Sequence, residues 1–124
     1  MVNILCFGDS NTWGYDPATQ TRFLKNIRWT GVLQNLLGDN FNIIEEGLNG
    51  RTTNVNERKE HSLGYCRDFR SSMDLVSILI ETNSPLDLIV VMLGTNDLKN
   101  NFNQSSDDIS TNMKLVCEAI INND

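Results

Sequence analysis

The stretch LDLIVVML, residues 86–93, is the strongest strand signal in the chain. A nearly continuous aliphatic and β-branched run of this kind is typical of a strand that is covered on both faces, as in a parallel sheet. Pro85 interrupts helical geometry just before the run, and the turn-forming sequence GTND, residues 94–97, follows it. The stretch therefore predicts a strand of a parallel sheet, and with it the α/β class.

Outward from this strand, helix and strand patterns alternate. Short apolar runs at residues 2–7 and 41–44 predict two further strands, and residues 11–26 read as a polar loop. Helical spacing of apolar residues predicts helices near residues 29–37 and from Ser72 onward, and Ser106 is the predicted N-cap of a third helix. The predicted apolar faces are Trp29, Val32, Leu33, Leu36 and Leu37; Leu75, Val76, Leu79 and Ile80; and Ile109, Met113, Val116 and Ile120.

This alternation predicts one domain over residues 1–124. Strand–helix–strand repeats form right-handed crossovers, which build a three-layer α/β/α sandwich around a parallel sheet. The chain stops where another strand is due. We therefore expect the sheet to be incomplete at its C-terminal side, with residues 88–93 as an apolar edge through which copies of the chain self-associate.

Composition narrows the function classes. Of the 124 residues, 40% are hydrophobic and 21% charged, which is ordinary for a soluble globular protein. The net charge of −6 disfavours nucleic acid as a partner, and no stretch has the length of a membrane span. The odd set Cys6, Cys66 and Cys117 lacks metal-ligand spacing, so we expect reduced thiols in a cytoplasmic protein without a metal or cofactor.

Candidate chemistry lies in three glycine-containing turns, at residues 8–12, 47–53 and 94–97. Each follows a predicted strand, and the carboxyl ends of parallel strands lie at one edge of the sheet. In the first turn, a serine after Gly8-Asp9 would expose its hydroxyl and its backbone N–H. In the second, Gly50 would present a bare backbone N–H. In the third, Asn96 would offer an amide to a developing oxyanion.

Each turn also has a purely structural interpretation. Gly-Asp-Ser is a common turn tripeptide in which Asp9 or Ser10 caps a helix. Asn96 and Asp97 after a strand need no catalytic reason, and Asp97 would brace its turn by accepting backbone hydrogen bonds. The coincidence of three such turns after consecutive strands favours the functional interpretation.

The set Gly8-Asp9-Ser10, Gly50 and residues 94–97 resembles blocks I, II and III of the SGNH (GDSL-type) serine hydrolases. The flanking sequence is similar to that of the arylesterase/acyltransferase branch, whose members act on small esters. The similarity covers residues 4–14, 28–33, 45–48 and 51–54. The resemblance implies that Ser10 is the nucleophile of an acyl-serine mechanism. It also implies an oxyanion hole made by the N–H groups of Ser10 and Gly50 and the side-chain amide of Asn96, with Asp9 and Asp97 in support.

The chain departs from the family pattern in two places. Asn11 replaces the leucine of the GDSL motif, at a position that is not expected to touch the reacting carbon. The family's Asp-x-x-His motif is absent: the single histidine, His61, has Arg58 three residues before it. Since Lys59 and Glu60 flank His61, the pattern favours a solvated surface residue over a catalytic base. We therefore expect little esterase turnover from this chain.

Two other function classes compete with the esterase. One is a catalytically dead binding module that keeps the oxyanion pocket for a small carboxylate or acyl ligand. The other is a receiver-type signalling domain, which the absence of the expected acidic cluster and lysine disfavours. Trp13 and Phe23 would line an acyl pocket or simply pack, and Cys66 reads as an inert thiol. Seven scattered basic residues read as solvated charges: Lys25, Arg28, Arg51, Arg58, Lys59, Arg67 and Arg70.

Overall fold

The computed structural model describes residues 1–56 and 70–123. The chain divides into two compact units. The first unit comprises Met1–Asn49 and Asn83–Met92, and the second comprises Gly50–Thr82 and Leu93–Asp124. The expectation of a single domain over residues 1–124 stays a prediction.

The helices and strands follow the predicted alternation. In chain order they are β1 (Val2–Gly8), α1 (Ser10–Trp13), β2 (Tyr15–Asp16), β3 (Thr21–Arg22), α2 (Trp29–Leu37), β4 (Phe41–Gly47), α3 (Ser72–Asn83), β5 (Leu88–Met92) and α4 (Ser106–Ile121). Two single-turn 3₁₀ helices, at Asn96–Leu98 and Asn100–Phe102, lie between β5 and α4. Within the described residues, no helix is long and apolar enough to cross a membrane.

The first unit contains a parallel sheet with the strand order β4-β1-β5. The α/β class with a parallel sheet is thus confirmed. The central strand β1 is the core of this unit, because its residues from Ile4 to Phe7 are all buried. Cys6, in the middle of β1, pairs with Glu45 on one side and with Val90 on the other.

The stretch at residues 86–93 does form a strand, β5, but the expected cover on both faces is wrong. Leu88 is 52% exposed and Met92 is 40% exposed. Among residues 1–56 and 70–123, β5 pairs only with β1, so it is an edge of the sheet as expected. An edge strand has a neighbour on one side only, and its terminal side chains therefore stay accessible.

The bounds of α2 agree with the prediction, whereas its predicted apolar face is wrong. Leu36 is 80% exposed, while Thr30 and Gly31 are buried. The face of α2 that meets the sheet carries polar side chains, which form hydrogen bonds with β4. Gln34 donates to the carbonyl of Phe41 at 2.8 Å and accepts from the N–H of Ile43 at 2.9 Å.

Residues 11–26, predicted to be a polar loop, contain regular structure. The one-turn helix α1 begins at Ser10, and the strands β2 and β3 pair in antiparallel fashion through Tyr15 with Arg22 and Asp16 with Thr21. The elements are too short to show a hydrophobic period, so periodicity could not reveal them.

The helices α3 and α4 bury the centres of their predicted stripes, at Val76 and Ile80 in α3 and Val116 in α4. The predicted N-cap of α4 is one residue off. Ser105, and not Ser106, accepts from the N–H of Asp108 at 3.1 Å. Asp108 returns the bond by accepting from the Ser105 N–H at 2.9 Å, which completes a capping box.

Candidate active site

The first turn of the predicted site is the junction of β1 and α1 in the first unit. Asp9 caps α1, and its carboxylate accepts from the N–H of Asn11 at 2.9 Å. The Asp9 carbonyl accepts from the N–H groups of Thr12 and Trp13, at 3.1 and 2.9 Å. Ser10 is the first residue of the helix and is half-buried. Within the described residues, its hydroxyl and its N–H have no hydrogen-bond partner.

Two glycines set the position of this turn. A Cβ on Gly8 would lie 2.1 Å from Thr12 Oγ1, and a Cβ on Gly47 would lie 2.2 Å from the backbone nitrogen of Trp13. Real side chains do not approach other atoms this closely, so neither position accepts one. The Thr12 side chain of α1 therefore packs against the end of β1, and the α1 backbone packs directly against the end of β4. The sequence indicated the need for Gly8 but not the contact at Gly47.

In the second unit, Gly50 is buried and has φ +81°. This left-handed backbone conformation is one that glycine adopts without steric cost. Because Gly50 has no side chain, its backbone N–H is not screened by a Cβ. An accessible backbone N–H is the property that the sequence predicted for Gly50.

Asn96 follows β5 and begins a 3₁₀ turn in the second unit. Its side-chain Nδ2 donates to the carbonyl of Arg51 at 3.0 Å. An amide NH₂ has two N–H donors, and this bond uses one of them. The bond fixes the orientation of the amide relative to residues 50–53 and leaves its second N–H to be directed elsewhere.

Asp97 is fully buried and holds the same two segments together. Its carboxylate accepts from the Thr53 N–H at 3.0 and 3.1 Å and from the Thr53 hydroxyl at 2.6 Å. Hydrogen bonds to a carboxylate are stronger than those between neutral groups. Thr53 was not among the predicted site residues. The feature that could have indicated Thr53 is the polar run RTTN at residues 51–54, which was considered only as sequence flanking Gly50.

A third cluster, in the first unit, was also missed. The Glu45 carboxylate of β4 accepts from the Thr30 hydroxyl at 2.5 Å and lies 3.3 Å from Arg28 Nε and 3.8 Å from Arg22 Nη2. The prediction that Arg28 is a solvated charge is wrong, because its side chain is only 9% exposed. The same prediction is wrong for Arg51, which is 3% exposed. The Arg28 side chain is held inward by its ion pair with the Glu45 carboxylate.

Of the two aromatic residues considered for an acyl pocket, Trp13 is half-buried. The guanidinium carbon of Arg22 lies 4.9 Å from the centroid of its ring. Phe23 is partly exposed, and its N–H donates to the Gly14 carbonyl at 2.7 Å. Contact of either ring with an acyl group stays a prediction.

Several predictions fall on residues 57–69, which lie outside the described part of the chain. They concern His61, Cys66, Arg58, Lys59 and Arg67. Among the described residues, Cys6 and Cys117 are free thiols, and no group of three or more metal-ligating side chains occurs. Burial, helped by the negative charge of Glu45, raises the pKa of the Cys6 thiol to about 11.

These features define an α/β protein whose sheet ends in a Gly-Asp-Ser turn. Residues 6–123 match the GDSL-like lipase/acylhydrolase family, so the chain belongs to that family. The resemblance to SGNH hydrolases inferred from blocks I to III is thereby confirmed. No curated protein matches the chain.

Solved structures agree with this assignment. The chain is 38% identical to the native aryl esterase of M. smegmatis, with a TM-score of 0.88 over 99% of this chain and 56% of that one. A carbohydrate acetylesterase family member from Sinorhizobium meliloti is 36% identical, with a TM-score of 0.88 over 100% and 55%. The SGNH-hydrolase family esterase AlinE4, at 24% identity and a TM-score of 0.67, shares the fold. The chain thus spans little more than half the length of these structures.

Proposed function

We propose that Ser10 is the nucleophile of an esterase that works through an acyl-serine intermediate. Its Oγ attacks the carbonyl carbon of a small ester, the alcohol leaves, and water or a second alcohol then takes the acyl group. One observation carries the proposal: Ser10 follows a glycine-ended strand as the first residue of α1, with its hydroxyl and N–H unpaired within the described residues. Membership in the GDSL-like family supports it.

The oxyanion formed in this attack needs donors. We assign the N–H groups of Ser10 and Gly50 and the second N–H of the Asn96 amide to this role. The φ of +81° at Gly50 and the bond from Asn96 to the Arg51 carbonyl support the assignment, because both fix a donor before substrate arrives. Each oxyanion donor contributes about 3 kcal/mol to transition-state stabilisation in related chemistry.

The names of the relatives support a proposal for the substrate class. The solved structures that the chain resembles are named as an aryl esterase and a carbohydrate acetylesterase family member. The first name specifies an aryl ester, and the second specifies an acetyl group on a carbohydrate. We therefore propose small acyl esters, acetyl esters foremost, as substrates, with acyl transfer to an alcohol as the variant of the same reaction. A reducing cytoplasmic location suits the free thiols of Cys6 and Cys117 and is part of the proposal.

General-base catalysis is the missing part of this reaction. The sequence has one histidine, His61, and lacks the Asp-x-x-His motif. A positioned general base contributes roughly 10² to 10⁴ in rate, and a serine hydroxyl without one is a weak nucleophile near neutral pH. We therefore propose that the 124-residue chain alone is strongly impaired as an esterase.

Hydrolysis of p-nitrophenyl acetate by the purified chain tests this proposal. We expect the wild-type chain to hydrolyse the ester no faster than the Ser10→Ala variant. Ser110→Ala, which removes an exposed hydroxyl on α4, is the matched control for loss of a serine. Robust turnover that disappears only in Ser10→Ala would contradict the proposed impairment while supporting the role of Ser10.

A second candidate is a binding module for a small carboxylate or acyl ligand. The observation that favours it is the bonding of Asn96 and Asp97, since the bonds to Arg51 and Thr53 hold the donor groups without any need for a base. A fluorophosphonate probe with imidazole present as an added base separates the candidates, because a nucleophilic Ser10 becomes labelled under these conditions and an idle one does not. Acetate-dependent shifts of the Asn96 side-chain amide signals, without labelling of Ser10, would favour the binding module.

A further inference from the structure

The side chain of Arg22 makes two separate contacts with one residue, Trp13. Its Nε donates to the Trp13 carbonyl at 2.7 Å, and its guanidinium carbon lies 4.9 Å from the centroid of the indole ring. A guanidinium at this distance over an indole face is attracted by the ring quadrupole. The hydrogen bond keeps the guanidinium from sliding along the ring. Arg22 therefore fixes both the backbone and the ring of Trp13.

Arg22 is in turn held by Glu45. Oε2 of Glu45 lies 3.8 Å from Arg22 Nη2, and its Oε1 receives the Thr30 hydroxyl and lies 3.3 Å from Arg28 Nε. Burial and the neighbouring positive charge of Arg28 lower the pKa of Arg22, and Glu45 opposes this. The negative charge of Glu45 thus offsets the repulsion between the guanidinium groups of Arg22 and Arg28.

The same cluster reaches the end of the helix that begins with Ser10. A Cβ on Gly14 would lie 2.5 Å from Arg28 Cγ, so the Arg28 stem packs against the Gly14 backbone. The N–H of Gly14 donates to the Ser10 carbonyl at 2.9 Å and closes the turn. Ser10 and Trp13 are three residues apart in α1, a spacing that puts two side chains on one face of a helix.

We propose that Glu45, Arg22 and Arg28 are positioning residues that fix the Trp13 indole beside Ser10, where the ring bounds the space open to the ester. The inference rests on the proposed role of Ser10. None of the three charged residues needs to touch the substrate, since they act through Trp13. A fixed ring discriminates between small and large ester groups more sharply than a mobile ring does, so this cluster sets the selectivity of Ser10.

The test uses a Trp29→Phe background, in which Trp13 is the only tryptophan. Arg22→Lys keeps the charge but loses the planar guanidinium and Nε, and Glu45→Gln removes the shared anion. Glu118→Gln is the control, because it removes the exposed ion pair with Lys114 on α4. Far-ultraviolet circular dichroism first establishes that each variant is folded.

Two readouts follow. The near-ultraviolet circular dichroism of Trp13 reports how firmly the ring is held. The ratio of the rates at which a methyl-sized and a biphenyl-sized fluorophosphonate label Ser10, with imidazole present throughout as an added base, reports selectivity. Mass mapping of the adduct verifies that Ser10 is the residue labelled.

We expect Arg22→Lys and Glu45→Gln to weaken the Trp13 signal and to change the labelling ratio about threefold to fivefold, the value of one cation–π contact at an accessible site. The Glu118→Gln control should leave both readouts unchanged. An unchanged ratio in a variant that is folded and labelled overturns the positioning role alone. Absence of Ser10 labelling in the parent overturns the proposed function itself. If Glu45→Gln does not fold, the Arg22→Lys variant, which changes a partly exposed side chain, decides the question.

Discussion

The turn that carries Ser10 and the turn that carries Asn96 are fixed in different ways. In the first unit, the absence of a side chain at Gly47 lets the backbone of α1 pack against the end of β4, and its absence at Gly8 makes room for the Thr12 side chain. In the second unit, the buried carboxylate of Asp97 gathers three hydrogen bonds from Thr53. The first turn is therefore specified by steric fit and the second by a polar network.

The two turns therefore tolerate different substitutions. A backbone-to-backbone contact has no flexible atom that can yield, so a single added carbon disrupts it. A polar network loses stability for each buried donor that is left without an acceptor. The loss of unfolding free energy is therefore partial when one acceptor remains. Substitutions at the two turns should therefore differ in both the size and the gradation of their effects.

The largest effect is expected at Gly47. Replacement by valine would place side-chain atoms on the backbone of Trp13, and we expect the free energy of unfolding to fall by more than about 3 kcal/mol, beyond the usual range for overpacking. Urea unfolding followed by circular dichroism measures the change. Ser110→Ala should unfold at the wild-type midpoint. A Gly47→Val protein with an unchanged midpoint would show that the close packing of α1 on β4 is not required.

A graded effect is expected at Asp97. Asp97→Ala leaves the buried N–H and hydroxyl of Thr53 without an acceptor, which should lower the free energy of unfolding by about 2 kcal/mol. Asp97→Asn keeps one acceptor oxygen, so its free energy of unfolding should fall by less. Thermal unfolding of the two variants beside Asp39→Ala, an exposed acid in the loop before β4, measures the series. Equal stability of Asp97→Ala and Asp39→Ala would show that the bonds between Asp97 and Thr53 do not stabilise the folded protein.

Self-association should respond to the edge strand of the first unit. We propose that the apolar edge of β5 pairs with a second copy, as exposed edge strands do, and that Leu88→Lys weakens this association. Ile78→Lys, an equally drastic change at an exposed position of α3, should leave it unaltered. Sedimentation velocity over a range of concentrations measures both. A wild-type chain that stays monomeric at the highest concentration would rule out the edge as an interface.

The smallest expected effect concerns the Cys6 thiol in β1. Its pKa is raised from 9.0 to about 11 in the folded protein, so between these values the unfolded chain loses the thiol proton while the folded chain keeps it. The folded state then binds more protons, and stability must fall as the pH rises through this window. Cys6→Ala should show a shallower fall in urea midpoint from pH 9 to 11. Parallel pH profiles for the two proteins would mean that Cys6 does not titrate as proposed.

Local patterns in the sequence were sufficient for the order of the three longer strands and the three longer helices and for the three candidate turns, but not for the short elements α1, β2 and β3. The helix α2 shows where such patterns fail: its apolar period is correct for a helix, but Thr30 and Gln34 decide which face meets β4. The Glu45 cluster and the Asp97–Thr53 bonds were out of reach because each joins residues that are far apart in the chain. Pairings of this kind depend on tertiary packing, which no local period encodes.

Chemical rescue measures whether Ser10 is the acyl-accepting nucleophile of this chain. The chain is incubated with p-nitrophenyl acetate and imidazole, which supplies the missing base, and the acetylated residue is located by peptide mass mapping. We expect acetylation of Ser10 that depends on imidazole, vanishes in Ser10→Ala and is strongly reduced in Asn96→Ala. An unmodified Ser10 in the presence of imidazole would show that Ser10 is not the nucleophile, whereas equal acetylation in Asn96→Ala would exclude only the oxyanion role of Asn96.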